Sequence, residues 1–259
     1  MMKNFILLVL IALTVPLYGQ NMNLLEKKLN ELSEQRTKWS DSHDDKAYDS
    51  LVYYNQELEK FILDFTSNNS KTLQYPFKNI RDNIDIVTSK DGLFRIYTWN
   101  TLEGGTMQFF QNVYQYSHNG KVYAQLDRTP KNNDGYDYYD INDVRVGDKY
   151  YYMTSRVSRG SSALFYYQAK IFSIENGKLN PDEKLIKTKT GINNTLGYEV
   201  DLSSLSNRNR LDNLKSSDYK LTFDSKSKTI ILPLIQADGY ITKRKIKYQL
   251  KTNYFEKVD

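Results

Sequence analysis

The sequence predicts a mainly β fold: antiparallel hairpin and meander sheets with blade-like repeats, propeller-like or sandwich in closure, preceded by an N-terminal α-helical hairpin. Three kinds of observation predict it. Tight-turn dipeptides recur between aromatic and β-branched runs from residue 84 onward. Some of these runs share one local pattern of long strand, tight turn and short strand. Before residue 66, by contrast, leucines and aromatics fall at helical spacing.

The first 20 residues are set apart from that fold. Lys3 supplies a positive start, residues 5–17 are apolar apart from Thr14 and Pro16, and Tyr18-Gly19-Gln20-Asn21 turns polar. A membrane-spanning helix needs about 20 apolar residues, so this shorter run reads as a signal peptide cut after Gly19 or Gln20. The expected location is therefore the periplasm or the cell surface, with no transmembrane span after cleavage. The chain has no cysteine, which excludes disulfides, thiolate catalysis and cysteine-ligated metals. Aromatic content of 14%, with 22 tyrosines, argues against disorder. A net charge of +5 is small for 259 residues and gives no footprint for nucleic acid.

Residues 21–66 read as two helices. Leu25, Leu29, Leu32 and Trp39 form the first seam, and residues 41–45 interrupt it with Asp44 or Asp45 able to cap the second helix. Ala47, Leu51, Tyr54, Leu58, Phe61 and Phe65 then alternate spacings of four and three, which places them on one helix face. Such a hairpin is expected to pack on the β-domain of its own chain, with a partner contact as the alternative. Residues 67–83 are polar, contain Pro76, and read as a linker or short extra turn.

From 84 to 259 the signals are those of an antiparallel β domain. Asp91-Gly92, Asn119-Gly120, Gly147-Asp148, Asn176-Gly177 and Asp238-Gly239 punctuate the strands. Asn-Gly and Asp-Gly accept the positive φ angles of tight hairpins. YQYSHNGKVY at 114–123, IFSIENGKLN at 171–180 and, more weakly, KYQLKTNYFE at 247–256 look like copies of one hairpin. In residues 243–251, Ile246, Tyr248 and Leu250 share one strand face, and Lys245, Lys247, Gln249 and Lys251 share the other. That basic row reads as a solvated face that discourages edge aggregation. Residues 185–189 and 197–202 read as further strands, and 203–217 as an exposed loop in which Arg208 and Arg210 are candidate anion ligands.

Two stretches carry candidate chemistry. Residues 132–143 alternate carboxylates and amides around Gly135, a composition suited to the six to eight oxygens of Ca²⁺. Asp134, Asp137 and Asp140 are the candidate calcium ligands, the only cofactor the sequence suggests. EF-hand spacing is not met, because its first and last ligand positions would fall on Pro130 and Ile141. Tyr136, Tyr138 and Tyr139 are candidate stacking residues for a sugar or peptide. A plain polar hairpin loop accounts for the same composition. The second stretch is 99–106, where Trp99 and Glu103 flank the flexible Gly104-Gly105 pair as candidate ligand-binding residues. The pair lacks the context of a phosphate loop. His43 and His118 are the only histidines, and neither sits in a nucleophile or metal pattern. In the runs 150–152 and 166–167, neighbouring tyrosines point to opposite strand faces, so strand propensity explains them.

The stretches DGLFRIYTWNTLEGGTMQFF at 91–110, IFSIENGKL at 171–179 and KLIKTKTGINNTLGYEVDL at 184–202 resemble a group of uncharacterised exported proteins of Gram-negative bacteria. The resemblance covers the β-rich region, implies an envelope or secreted location, and carries no established activity. The chain then has three functional readings. The first is an exported interaction protein without catalytic activity that contacts an envelope protein or glycan. The second is a carbohydrate or small-ligand binding module. The third is a hydrolase of an envelope polymer.

Overall fold

The computed structural model describes residues 22–81, 83–127, 135–208 and 213–258. Two helices, α1 (Met22–Ser40) and α2 (Ala47–Ser67), come first. Among the described residues, fifteen strands come after them, arranged in three sheets. No helix among the described residues is long and apolar enough to cross a membrane.

Sheet 1 is a meander of β1 (Asp85–Thr88), β2 (Phe94–Asn100), β3 (Phe110–His118) and β4 (Lys121–Leu126). Sheet 2 runs in the order β11 (Thr195–Asp201), β7 (Leu164–Glu175), β6 (Lys149–Arg159), β5 (Asp137–Val146), with β8 (Lys178–Asn180) paired on the end of β7. Sheet 3 contains β9 (Ile186–Thr188), β10 (Gly191–Asn193), β12 (Thr222–Asp224), β13 (Thr229–Ile235), β14 (Ile241–Leu250) and β15 (Phe255–Val258). Its β9–β15 pairing is parallel and joins strands far apart in sequence.

The layers stack as helices, sheet 1, sheet 2, sheet 3, with a separate apolar core at each junction. Strand alternation decides which side chain enters which core. On β2 and β3, Tyr97, Trp99 and Val113 face the helices and meet Leu25, Leu29, Leu58, Ile62 and Phe65. Phe94, Ile96, Tyr114 and Tyr116 face the other way, onto Tyr138, Ile141, Tyr152 and Phe172 of sheet 2. Met153, Val157, Tyr167, Ala169 and Ile171 leave the opposite face of sheet 2 and pack on Leu221, Ile230, Leu232 and Phe255. Sheet 2 is thus sandwiched, and the middle of β6 is buried on both faces.

The three similar segments are the hairpins β3–β4, β7–β8 and β14–β15, one in each sheet. They do not build a ring: the described residues form neither a closed barrel nor a propeller. The physical reason is the helical hairpin. Closure would require the outer face of sheet 1 to meet another sheet, and α1 and α2 cover that face instead.

Two local departures from the sequence expectation have simple causes, and a short extra turn lies within 67–83 as one of the two readings had it. Residues 137–143 belong to β5 and not to a loop, because Tyr138 and Ile141 are drawn into the core between sheets 1 and 2. A bulge between Tyr138 and Asp140 turns Tyr139 to the opposite side, where its hydroxyl donates to the Leu221 carbonyl at 2.8 Å. Residues 203–217 contain a helical turn, α3 (Leu205–Arg208), and the start of a second, α4 (Ser216–Tyr219). The turn α3 is anchored by buried Asn207, which donates to the carbonyls of Asp201 and Gly239. Between α2 and β1, a 3-10 turn (Ser70–Leu73) seats Leu73 and Phe77 in buried positions.

Candidate functional site

The two sequence candidates lie in different layers. Trp99 is 1% exposed, inside the helix–sheet core. Glu103 is exposed on the loop after β2, which bends through Leu102 at φ 64° and Gly105 at φ 60°. Asn55 of α2 links this loop to the core, donating to the Thr101 carbonyl at 2.8 Å and to Glu103 Oε1 at 3.0 Å. Asn55 Oδ1 in turn accepts from Arg36 Nε at 2.7 Å. The Arg36 guanidinium also donates to the Asn100 carbonyl and is fully buried. Burial lowers its pKa to about 10, against the pull of Glu103. Arg36 Nη1 and the indole nitrogens of Trp39 and Trp99 have no hydrogen-bond partner among the described residues. This junction is a buried polar lock that ends at the exposed Glu103.

Of the candidate calcium ligands, Asp134 lies outside the described residues. Asp137 is buried and paired with Arg159 at 3.1 Å. Burial, then Asp85, push its carboxyl above the ordinary range, while Arg159 and Lys220 pull it down. Asp140 accepts from Asn142 Nδ2 at 2.6 Å. Among the described residues no group of three or more His, Cys, Asp or Glu side chains is placed to hold a metal ion.

The tyrosines lead to a different arrangement. Tyr138 is buried between sheets 1 and 2, and Tyr136 packs its ring face on the Arg156 guanidinium at 3.6 Å. Arg156 Nε donates to Gln168 Oε1 at 2.9 Å and Nη1 to the Tyr138 hydroxyl at 2.8 Å. The Tyr138 and Tyr114 hydroxyls are 2.9 Å apart, and Tyr114 donates to Asp127 Oδ2 at 2.6 Å. Among the described residues, a buried cation is therefore connected to a carboxylate only through two phenols. Burial opposes the Arg156 charge, but Tyr138, Tyr136 and Tyr114 outweigh it and raise the guanidinium pKa.

Arg156 belongs to a face that sheet 1 covers only in part. Sheet 1 rests on it through β1 and β2 against β5 and through β3 against β7. Cross-strand register then places Arg156, Gln168 and Gly197 in one row, Ser158, Tyr166 and Glu199 in the next, and Thr154, Lys170 and Thr195 on the other side. Towards β11 this strip opens: Tyr166 is 38% exposed, and Gly197 and Glu199 are exposed. Tyr166 lies across Gly197. A Cβ at that glycine would collide with the phenol oxygen and sit 2.7 Å from Cζ. The missing side chain is what lets the phenol end of Tyr166 approach the β11 backbone.

Lys170 completes the strip. Its ammonium lies 5.5 Å from the Phe172 ring centroid and has no hydrogen-bond or ion-pair partner among the described residues. Burial, then the neighbouring Arg156, hold its pKa below the usual lysine value, while Asp182 and Asp127 act in the opposite sense.

Sequence reasoning picks out Tyr136 and Tyr138 but misses Arg156, Gln168, Lys170 and Gly197. A signal for them existed: a cation at a core-facing strand position, twice on adjacent strands, and a glycine inside a strand. Fold and site together define a cysteine-free, mainly β protein whose middle sheet carries an open aromatic and polar strip beside a buried arginine network. No protein-family model, no curated protein and no solved structure matches the chain.

Proposed function

We propose that this chain is an exported binding protein of the periplasm or cell surface, and that its open strip on β6, β7 and β11 holds a carbohydrate. The observation that carries the reading is Tyr166, whose phenol end rests against Gly197 while more than a third of the residue stays exposed. A positioned aromatic ring offers an apolar surface at little entropic cost, and Ser158, Glu199 and Thr195 supply hydrogen-bonding groups on the same sheet face. The matching hairpins in the three sheets support treating them as related, blade-like units of one scaffold. Recognition of a protein partner through the helical seam has less support, because Leu58, Ile62 and Phe65 pack in one core with sheet 1 of the same chain.

The test is a glycan array probed with the purified protein, with Tyr166→Ala and with Gly197→Ala. Retained glycans should be lost with Tyr166→Ala and weakened with Gly197→Ala, whose Cβ pushes the ring off the sheet. Binding that survives both substitutions removes this site from consideration. Repeating the array with calcium and with a chelator tests the metal reading of Asp134, Asp137 and Asp140. Cell fractionation with N-terminal sequencing tests export and cleavage after Gly19 or Gln20.

A further inference from the structure

We infer that the strip selects acidic glycans, with a sugar carboxylate seated at Lys170. The inference rests on the carbohydrate reading above and names the class of sugar.

Charge placement on one sheet face carries it. Arg156 and Lys170 project from neighbouring strands to the same side, diagonal to one another in the β6–β7 register. Neither has a carboxylate bonded to it among the described residues. Arg156 is satisfied by neutral acceptors, the Gln168 amide and the Tyr138 phenol. Lys170 has no acceptor among the described residues and is half-buried. The two acids that sense it are committed elsewhere: Asp127 accepts from Tyr114 at 2.6 Å and Asp182 accepts from Asn194 Nδ2 at 2.8 Å. Two like charges on one partly desolvated face disfavour each other, and an incoming anion relieves that repulsion. Burial first, and the Arg156 charge second, lower the Lys170 pKa, in keeping with that repulsion.

Geometry agrees with an extended sugar chain. Tyr166 and Lys170 are four residues apart on β7, about 13 Å at ~3.3 Å per residue. Gln168 lies between them on the same face, and Thr195 and Gly197 of β11 line the open side. A short oligosaccharide can therefore stack at Tyr166 and present a carboxylate at Lys170 in one pose. Glu199, at the Tyr166 end, favours a chain whose acidic group lies away from that end.

The probes are hyaluronan and oligogalacturonate fragments, each beside its carboxyl-methylated form, titrated calorimetrically into the protein, Lys170→Met and Tyr166→Ala. The acidic form of at least one fragment should bind about tenfold more tightly than its methyl ester, a difference of ~1.4 kcal/mol. Lys170→Met should bring the acid down to the level of the ester, and Tyr166→Ala should weaken both. Raised salt should weaken only the acid. Equal binding of acid and ester, or an acid preference untouched by Lys170→Met, overturns this inference while leaving the carbohydrate reading standing. Absence of binding by every fragment, together with an array without Tyr166-dependent signal, overturns both. Unchanged thermal unfolding of the two variants confirms that the effects belong to the site.

Discussion

Removing Asn55 should cost more stability than removing the charge it serves. Asn55 accepts from Arg36 Nε and donates to the Thr101 carbonyl, and all three residues are buried. Asn55→Leu leaves the Arg36 guanidinium with the Asn100 carbonyl as its remaining acceptor and strands the Thr101 carbonyl. Stripping a partner from a buried charge costs about 3–5 kcal/mol. Arg36→Met leaves two acceptors unpaired, Asn55 Oδ1 and the Asn100 carbonyl, but it also takes away a desolvated charge whose Nη1 is already unpartnered. Its net cost should be ~1–3 kcal/mol, because each stranded acceptor is offset by the charge no longer buried. In the double variant the asparagine has no cation left to satisfy, so the losses should fall at least ~1.5 kcal/mol short of their sum. Urea unfolding followed by tryptophan fluorescence suits the measurement. The two tryptophans of the chain flank the lock, Trp39 three residues after Arg36 and Trp99 next to Asn100. Additivity within ~0.5 kcal/mol, or an Asn55→Leu cost below ~1 kcal/mol, would refute the account of Arg36 as a charge held by Asn55.

Two further expectations concern the sheets. Glu183 Oε1 accepts from Lys149 Nζ at 2.8 Å, Ser173 Oγ at 2.6 Å and Asn180 Nδ2 at 2.7 Å. Burial acts against its charge, but these donors win and the carboxyl pKa falls below its ordinary value of 4.5. Its stabilisation is therefore fully present above that pH and is lost as pH falls through the lowered folded pKa. Glu183→Gln should cost ~1–2 kcal/mol near neutrality, as expected for charge-assisted hydrogen bonds, and the gap to the parent should close in acid. A gap that persists unchanged in acid would contradict the assignment. Gly135→Ala tests the approach to sheet 1, since Gly135 has φ 70° and a Cβ there would collide with the Phe110 carbonyl, 2.9 Å from its carbon. The loss should exceed ~1 kcal/mol and lower Tm by several degrees, and an unchanged Tm would show that the backbone relaxes freely there.

Most strand positions were legible because their signals are local. A two-residue turn needs positive φ, and Asn119-Gly120 and Asn176-Gly177 both supply it in the structure. The helical hairpin was legible for a similar reason, since Leu25, Leu29, Leu58 and Phe65 repeat on one face and are all buried. The way the sheets stack was not legible. A local repeat says that hairpins are alike and nothing about which faces meet. The decisive event, α1 and α2 covering the face of sheet 1 that a ring would need, joins residues 22–67 to residues 85–126. The parallel β9–β15 pair escaped for the same reason, because residues nearly 70 positions apart meet there without a turn to announce them.

The candidate site divides along the same line. Composition drew attention to Tyr136–Tyr139, and that segment does lead to the arginine network through Tyr136 and Tyr138. Yet the tyrosine at the open end of the strip is Tyr166, which as half of a Tyr-Tyr pair looked like ordinary strand material. What distinguishes it is its cross-strand surroundings. Gly197, on a strand that starts 29 residues later, removes the Cβ that would lift the ring, while Tyr167 turns into the core. Lys170 shows the same dependence on register. In sequence it is one of 36 basic residues, and its meaning comes from sharing a sheet face with Arg156 across the β6–β7 hairpin. A single hairpin register thus brings two cations together, and a second, between β7 and β11, sets the half-buried Lys170 on the same strip as an exposed tyrosine. A shift of one residue in either pairing would send one partner of each contact to the opposite face. The binding strip is therefore a property of strand pairing, while the turns that make the pairing are what the sequence displays.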